Sequence, residues 1–320
     1  FANIDLTDPN KLEDKMFKRI IAYTNYAIRF VCPQQYVFFA IDGVAPLAKI
    51  RQQRQRRFGY AHDYRKEIMD EYGVKYNDSW SNVVITPGTE FMDRLHNRIK
   101  RYYSSKENRH EYCDTRFNPD LKIIYSSYHI PGEGEHKILQ DIKSRFSTSN
   151  AENIAIYGLD ADLIFLSMAS KRNNIYLVRE EGEFNKKNTG KKEDPDDISE
   201  TLVYVDMDKT MECINDTFRK GISDHMSSGL GGFEEDQDYY YDDDQLNEVS
   251  FVDDYILICY LLGNDFLPHF PSIDLRREGM ELVISKYTDV FCNYEYTSII
   301  YRENGEVKFN NDMFRDLIAA

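Results

Sequence analysis

The sequence predicts an α/β fold in which a mostly parallel central sheet is covered by helices on both faces. Three short apolar runs, at 37–41, 121–125 and 153–159, are rich in β-branched and aromatic residues. Runs of this length and composition are typical of strands buried on both faces. Each run is followed by acidic residues and then by a helical pattern. Strands that alternate with helices favour a parallel sheet in a three-layer domain.

The first predicted helix, residues 11–31, covers the opening strand. Its apolar residues recur at the spacing of one helix face, and Pro33 closes the segment before the strand at 37–41. This strand leads directly into Asp42. Open α/β sheets bind their ligands at the carboxyl ends of their strands. Asp42 is therefore the first candidate site residue.

A basic helix is predicted after this strand. One of its faces carries four polar residues at helical spacing: Lys49, Gln53, Arg56 and Arg57. Such a face suits a phosphate group, although basic residues at this spacing also occur on ordinary solvated helix faces. The adjoining Asp42 and the acidic motifs that follow favour phosphate binding.

The second and third predicted strands are each followed by a pair of acids. Glu133 and Glu135 are separated by one glycine and repel each other unless a cation lies beside them. Exposed acids stabilised by the next helix N-terminus are the alternative explanation. Asp160 and Asp162 follow the third strand, and residues two apart in an extended chain face the same side. Acids at successive strand ends together indicate one shared site.

The rest of the chain predicts a fourth strand, at 175–178, and a return to helix near the C-terminal end. We expect an α/β core over 1–220, a mobile acidic insertion over 221–250, and a helical continuation over 251–320. The helix of this last segment ends at a glycine, and Asp265 follows in the turn. The continuation is therefore expected to complete the acidic site.

The candidate metal ligands are six carboxylates: Asp42, Glu133, Glu135, Asp160, Asp162 and Asp265. Oxygen donors without cysteine select a hard cation such as Mg²⁺ or Mn²⁺ over Zn²⁺. Two such ions about 4 Å apart can hydrolyse a phosphodiester by in-line displacement. No protein nucleophile is then needed.

Composition and cysteine spacing argue against a membrane-spanning, a disulfide-rich and a zinc-binding protein. The 320 residues are 42% hydrophobic, enough for a sizeable core, and no apolar run approaches a membrane span. The five cysteines include no Cys-x-x-Cys pair, which argues against a disulfide framework or a zinc site. We expect a reducing compartment, the cytoplasm, with the nucleus left open. Because the chain starts at Phe1 and stops within a helical pattern, we expect a fragment.

The net charge of −15 is unevenly distributed. Ten acids lie within 234–254 with no Lys or Arg among them, and removing them leaves a net charge of −5. The remaining surface can therefore carry a local basic patch for a polyanion.

Several sequence blocks together resemble the eukaryotic-type 5'-3' exoribonucleases, which are relatives of the flap endonucleases. The blocks are Ile-Asp-Gly-Val-Ala-Pro at 41–46 with the basic residues to 58, and those at 85–92, 131–137, 158–163 and 261–268. This resemblance implies a PIN-like, flap-nuclease-like domain. It also implies metal ligation by the six carboxylates and 5'-monophosphate binding by Lys49, Gln53, Arg56 and Arg57. An upstream strand with one more aspartate and base-stacking groups, and a pocket wall beyond 320, are further implied.

The expected function is hydrolysis of 5'-monophosphorylated single-stranded RNA by a monomeric, two-metal 5'-3' exoribonuclease active in RNA degradation, including mRNA decay. A structure-specific, flap-type DNA endonuclease is the first alternative, disfavoured because the 43–58 block suits an exposed terminal phosphate. A catalytically silent RNA-binding or scaffolding module is the second. The retained acids disfavour it, because a binder of polyanions would gain by losing them.

Overall fold

Helices and strands alternate through the first half of the chain in the computed structural model, which confirms the predicted α/β class. The structure describes residues 9–72, 81–114, 118–146, 151–158, 160–181, 201–227, 243–264, 267–294, 297–304 and 306–320. The chain divides into two units, Phe1–Leu163 with Tyr176–Val205, and Ile164–Ile175 with Asp206–Ala320. Within the described ranges, no helix combines the length and the apolar character needed to cross a membrane.

The first unit contains the candidate site. Its elements are α1 (Pro9–Val31), β1 (Tyr36–Ala40), α2 (Leu47–Tyr72), α3 (Glu90–Ser104), β2 (Lys122–Ser126), α4 (Gly134–Arg145), β3 (Ile154–Tyr157), β4 (Ile175–Glu180) and β5 (Leu202–Asp206). Helix α5 (Asp162–Ala169) begins in this unit and continues into the second.

Helices α1 and α3 pack against each other through apolar side chains. Phe17 on α1 contacts Phe91 on α3, with ring centroids 5.3 Å apart, and both side chains are buried. Helix α3 begins after Thr89, whose hydroxyl accepts a hydrogen bond from the backbone N–H of Met92 at 3.4 Å. This cap stabilises the start of α3, because a Thr oxygen there satisfies an N–H that the helix leaves unpaired.

The strands place the carboxyl ends of β1 and β2 side by side. These strands pair in parallel, from Tyr36 opposite Lys122 to Ala40 opposite Ser126. The other described strands of this unit form a second sheet in the order β3-β4-β5. A cavity of about 920 Å³ is lined by residues of α1, β1, α4 and β3. The described strands of this unit thus form two separate sheets, β1-β2 and β3-β4-β5, and not one continuous sheet.

The second unit is mainly helical. It contains α6 (Met207–Ser227), α7 (Asp243–Glu248), α8 (Val252–Leu261), α9 (Gly279–Phe291), the strands β6 (Ile300–Glu303) and β7 (Glu306–Phe309), and α10 (Asn311–Ala319). Its core is aromatic, with Phe218 stacked on Phe251 at 5.3 Å and edge-on to Tyr287 at 5.2 Å. The antiparallel β6–β7 pair was not predicted from the sequence.

The predicted acidic insertion, 221–250, differs from the structure at its described ends. Helix α6 continues through Gly221 to Ser227 because Ile222 is fully buried in the core of the second unit. Residues 243–248 form the short helix α7. The intervening residues 228–242 lie outside the described residues.

Candidate metal centre

The loops that follow β1 and β2 run together beyond the ends of the strands. Ile41 N donates to Ser126 O at 3.0 Å, which extends the pairing past β1. Gly43 N then donates to Gly132 O, and Gly132 N to Val44 O, both at 2.9 Å. Because these loops are joined by backbone hydrogen bonds, Asp42 and the acids after Gly132 are held at one edge.

The Asp42 carboxylate binds the start of α4. Its Oδ1 accepts a hydrogen bond from Gly134 N at 2.6 Å, where the partial positive charge of a helix N-terminus favours an anion. A Cβ on Gly134 would lie 2.7 Å from Ala40 O and 3.1 Å from this Asp42 oxygen. The close approach of α4 to the end of β1 therefore requires glycine at 134.

Glu133 lies buried between the acidic loop and the basic helix. Its Oε1 is 3.0 Å from Lys49 Nζ, and the two side chains are only 6% and 8% exposed. Its Oε2 is buried and makes no hydrogen bond within the described residues, and His136 Nδ1 lies 3.6 Å away. One carboxylate oxygen thus remains available to a further ligand.

Glu135, Asp160 and Asp162 form a cluster whose carboxylate oxygens lie within 4.8 Å of one another. Burial raises the pKa of Glu135 to about 7, and the charges of Asp160, Asp162 and Glu133 add to this effect, whereas Lys49 opposes it. Burial and the Asp160 charge also raise the pKa of Asp162. A cation would relieve this repulsion between carboxylates.

A second group of potential ligands overlaps the first. Glu133, Glu135 and His136 also present ligand atoms within 4.8 Å of one another. Glu135 belongs to both groups, so its carboxylate lies between them. The oxygen-rich donor set fits a bound metal ion, as does the buried Glu133 oxygen that makes no hydrogen bond within the described part of the chain.

The predicted ligands fall into three groups. Glu133, Glu135, Asp160 and Asp162 come together in these overlapping groups. Asp42 is tied to the same loop through Gly134 N. Asp265 lies outside the described residues, so the structure gives it no position.

The predicted phosphate-binding residues on α2 differ in exposure. Lys49 is buried against Glu133, and Gln53 and Arg57 are partly exposed. Arg57 Nη2 lies 3.5 Å from Ile85 O, and Arg56 is exposed. Helix α2 thus extends from the acidic cluster at Lys49 to accessible guanidinium groups about two turns later.

Sequence reasoning missed two buried cations. Lys137 Nζ donates to Ile41 O at 2.7 Å and to Ser127 O at 3.1 Å. Burial lowers the pKa of Lys137, and the charge of Asp42 opposes this shift. Arg179 Nε and Nη2 each donate at 3.1 Å, to Gly158 O and Asp160 O respectively. Both side chains are buried, and charged residues are rarely buried without partners, but the sequence itself does not mark these two positions as buried.

The fold and the site together define a class: an α/β domain with clustered acidic residues, a candidate metal centre, beside the carboxyl ends of its strands. A family model described as "XRN 5'-3' exonuclease N-terminus" matches residues 2–181, and one described as "Xrn1 helical domain" matches residues 245–314. The chain belongs to the XRN 5'-3' exonuclease family, which confirms the resemblance, and the first matched region is a PIN-like domain.

The chain is also similar to curated relatives. It is 32% identical to 5'-3' exoribonuclease 2 of Kluyveromyces lactis over 308 residues, covering 88% of this chain and 29% of that protein. It is 30% identical to human 5'-3' exoribonuclease 1, covering 87% of this chain and 15% of that protein. With 5'-3' exoribonuclease 1 of Saccharomyces cerevisiae the identity is 28%, over 96% of this chain and 19% of that protein. The chain thus spans less than a third of these relatives.

Proposed function

We propose that this chain belongs to a metal-dependent 5'-3' exoribonuclease that hydrolyses single-stranded RNA from a 5'-monophosphorylated end. The observation that carries the proposal is the cluster of Glu133, Glu135, Asp160 and Asp162 beside the ends of strands. The names of the relatives support the reaction and its direction. We propose a monomer acting in the cytoplasm, as the sequence predicts.

The metal is proposed to be Mg²⁺ or Mn²⁺, bound as a pair of ions. Hard cations suit the carboxylate donors, and two overlapping ligand groups that share Glu135 support two ions. When bound, such ions activate a water and stabilise the leaving oxygen of a phosphodiester. The protein's part is to hold the ligands: Lys49 fixes Glu133 through the buried ion pair, and Gly134 N fixes Asp42. Asp265 stays a predicted ligand.

The 5' phosphate is proposed to bind the face of α2 formed by Lys49, Gln53, Arg56 and Arg57. Arg56 and Arg57 are accessible to a ligand, and Arg can bind phosphate oxygens through a bidentate fork. Lys49 contacts Glu133, so this face leads to the acidic cluster. A terminal monophosphate carries about one more negative charge than an internal phosphodiester, so a basic pocket can prefer it.

The test compares full-length wild type with Arg56→Ala/Arg57→Ala on identical single-stranded RNAs that carry 5'-monophosphate or 5'-hydroxyl ends. Wild type should degrade the monophosphorylated RNA faster. The double variant should lose about tenfold or more of this preference, because charge-assisted hydrogen bonds to the phosphate are removed. Arg51→Ala/Arg54→Ala, which removes two exposed cations from the same helix, is the matched control and should keep the preference.

Equal preference in wild type and in the Arg56→Ala/Arg57→Ala variant would show that this helix face does not bind the 5' phosphate. Efficient cleavage of flap DNA by the wild type, without degradation of single-stranded RNA, would instead favour a structure-specific endonuclease. Binding of RNA without hydrolysis in saturating Mg²⁺ would favour a silent RNA-binding module.

A further inference from the structure

Lys137 joins the carboxyl ends of two parallel strands. It lies in α4, is only 6% exposed, and donates to Ile41 O at 2.7 Å and to Ser127 O at 3.1 Å. Ile41 precedes Asp42, and Ser127 directly follows β2. One ammonium group therefore fixes the backbone at the ends of both strands.

Arg179 makes an equivalent contact at the end of β3. It lies in β4, is 9% exposed, and donates from Nε to Gly158 O and from Nη2 to Asp160 O. Both carbonyls belong to the loop that carries Asp160 and leads to Asp162. The guanidinium therefore holds the backbone at Gly158 and at the candidate ligand Asp160, two residues before Asp162.

Burying the ammonium group of Lys137 is costly, and the two neutral carbonyls that it binds compensate for only part of that cost. The Asp42 carboxylate lies close enough to Lys137 for their charges to interact. Lys137 and Arg179 both bind main-chain oxygens next to acidic residues, so both can have the same structural role. They fix the backbone that carries the carboxylates.

We propose that Lys137 and Arg179 are positioning residues for the metal-dependent reaction proposed above, each setting the loop geometry from which the carboxylate ligands project. Neither side chain needs to touch RNA or metal for this role. Their effect is exerted through Asp42 on one side and through Asp160 and Asp162 on the other. Groups that orient metal ligands typically change metal affinity or activity by about 10- to 100-fold when they are removed.

The experiment uses full-length protein with the substitutions Lys137→Met and Arg179→Met. Metal-free protein is titrated with Mn²⁺ and followed by electron paramagnetic resonance. The Mn²⁺ dissociation constant of each variant should rise by about tenfold or more. For RNA hydrolysis, kcat should fall while KM for RNA stays unchanged, and added Mn²⁺ should recover part of kcat. Lys143→Met, which removes an exposed lysine from the same helix, is the control and should match wild type.

Milder variants keep the test informative if a methionine variant does not fold. Lys137→Gln and Arg179→Lys each retain one donor group, and both should give intermediate Mn²⁺ affinities. Folded variants with a lower melting temperature but wild-type Mn²⁺ affinity and kcat would overturn the proposal, since the cations would then act only on stability.

Hydrogen exchange of backbone amides distinguishes two outcomes: that this proposal is wrong, or that the metal-dependent function proposed above is wrong. In metal-free protein, Lys137→Met should speed exchange in the segment 132–137, because Gly134 N donates to Asp42. If wild type binds no Mn²⁺, the proposed function is wrong, and this exchange still decides whether Lys137 orders the loop. Unchanged exchange would contradict the positioning role of Lys137.

Discussion

At the scale of single residues, Glu133 links the candidate phosphate-binding helix α2 to the candidate metal ligands. One oxygen pairs with buried Lys49 at 3.0 Å, and the other is buried without a hydrogen bond among the described residues. Breaking a buried ion pair by removing one partner typically costs about 3–5 kcal/mol, because the remaining charge is left uncompensated. Lys49 is therefore a structural partner of a candidate metal ligand as well as a candidate phosphate contact.

Gly134 gives a prediction at the same scale. Gly134→Ala places a Cβ 2.7 Å from Ala40 O, so the start of α4 must move away from β1. The displacement should disturb Asp42 and the adjacent Glu133 and raise the Mn²⁺ dissociation constant by about tenfold or more. Titration of the metal-free protein with Mn²⁺ measures the change.

Gly59→Ala is the matched control for this prediction. Gly59 lies within α2, and a Cβ there meets no atom within 4 Å. Alanine should stabilise this helix position by about 0.5–1 kcal/mol and leave Mn²⁺ affinity unchanged. Wild-type affinity in Gly134→Ala would mean that the approach of α4 to β1 does not set the ligand geometry.

Helix α1 is attached to the second sheet of the first unit by a polar contact. The Tyr23 hydroxyl on α1 and the Tyr157 hydroxyl on β3 both donate to Glu180 on β4. Burial, followed by the hydrogen bond to Glu180, raises the pKa of Tyr23 well above the ordinary value of 10.0. The folded protein therefore retains this phenolic proton at a pH where the unfolded chain releases it.

This contact predicts a pH dependence of stability. Because the folded-state pKa of Tyr23 is raised, its contribution is fully present below the unfolded value of about 10 and is lost as the pH rises above it. Between pH 8 and about 11, wild type should lose more free energy of unfolding than Tyr23→Phe does. Urea denaturation at each pH measures the difference.

Tyr26→Phe, which removes a hydroxyl from the same helix, controls for a general effect of losing a tyrosine. The effect of Tyr23 is the difference between the pH profiles of the two variants. Parallel profiles for wild type and Tyr23→Phe would show that the Tyr23 contact contributes nothing to alkaline stability.

The elements that the sequence predicts best are those with a continuous local run of apolar residues. The runs at 37–41 and 121–125 lie in β1 and β2, as their β-branched and aromatic content predicts. The residues of β1 are half-buried, however, and not fully buried as the sequence pattern predicts. Strands β6 and β7 have no such run, since most of their residues are exposed and the pair is held by its own ladder. Gly221 falls within the predicted acidic insertion, although it lies within α6, where a Cβ would be in ordinary contact with Thr288 on α9.

The candidate site was predictable only in part, because some of its contacts are made to backbone atoms. Acids at strand ends are visible in sequence because topology brings such ends to one edge. Lys137 and Arg179 act on backbone carbonyls of distant segments. Carbonyl partners have no residue signature, so only the folded structure shows them.

At the scale of the whole molecule, net charge gives a poor guide to RNA binding. The chain carries −15, with ten of its acids within 234–254. The proposed contact with the 5' phosphate instead depends on the local charge of one face of α2, formed by Lys49, Gln53, Arg56 and Arg57. Local clusters of this kind can attract a polyanion to an acidic protein.

The family match extends over both units. The XRN N-terminal model covers residues 2–181 and the helical-domain model covers 245–314. Because the chain spans 29% of the Kluyveromyces lactis relative and 15% of the human one, hydrolysis is best tested in the full-length protein.

The most direct test of the acidic centre compares full-length wild type, Asp162→Asn and the control Asp120→Asn, which changes an exposed acid. The substrate is single-stranded RNA with a 5'-monophosphate and a 3' label, in saturating Mg²⁺. Asp162→Asn should lose hydrolysis by about 100-fold or more because it removes a metal ligand, while RNA binding persists. Asp120→Asn should match wild type. Wild-type turnover by Asp162→Asn would contradict metal-dependent hydrolysis at this centre.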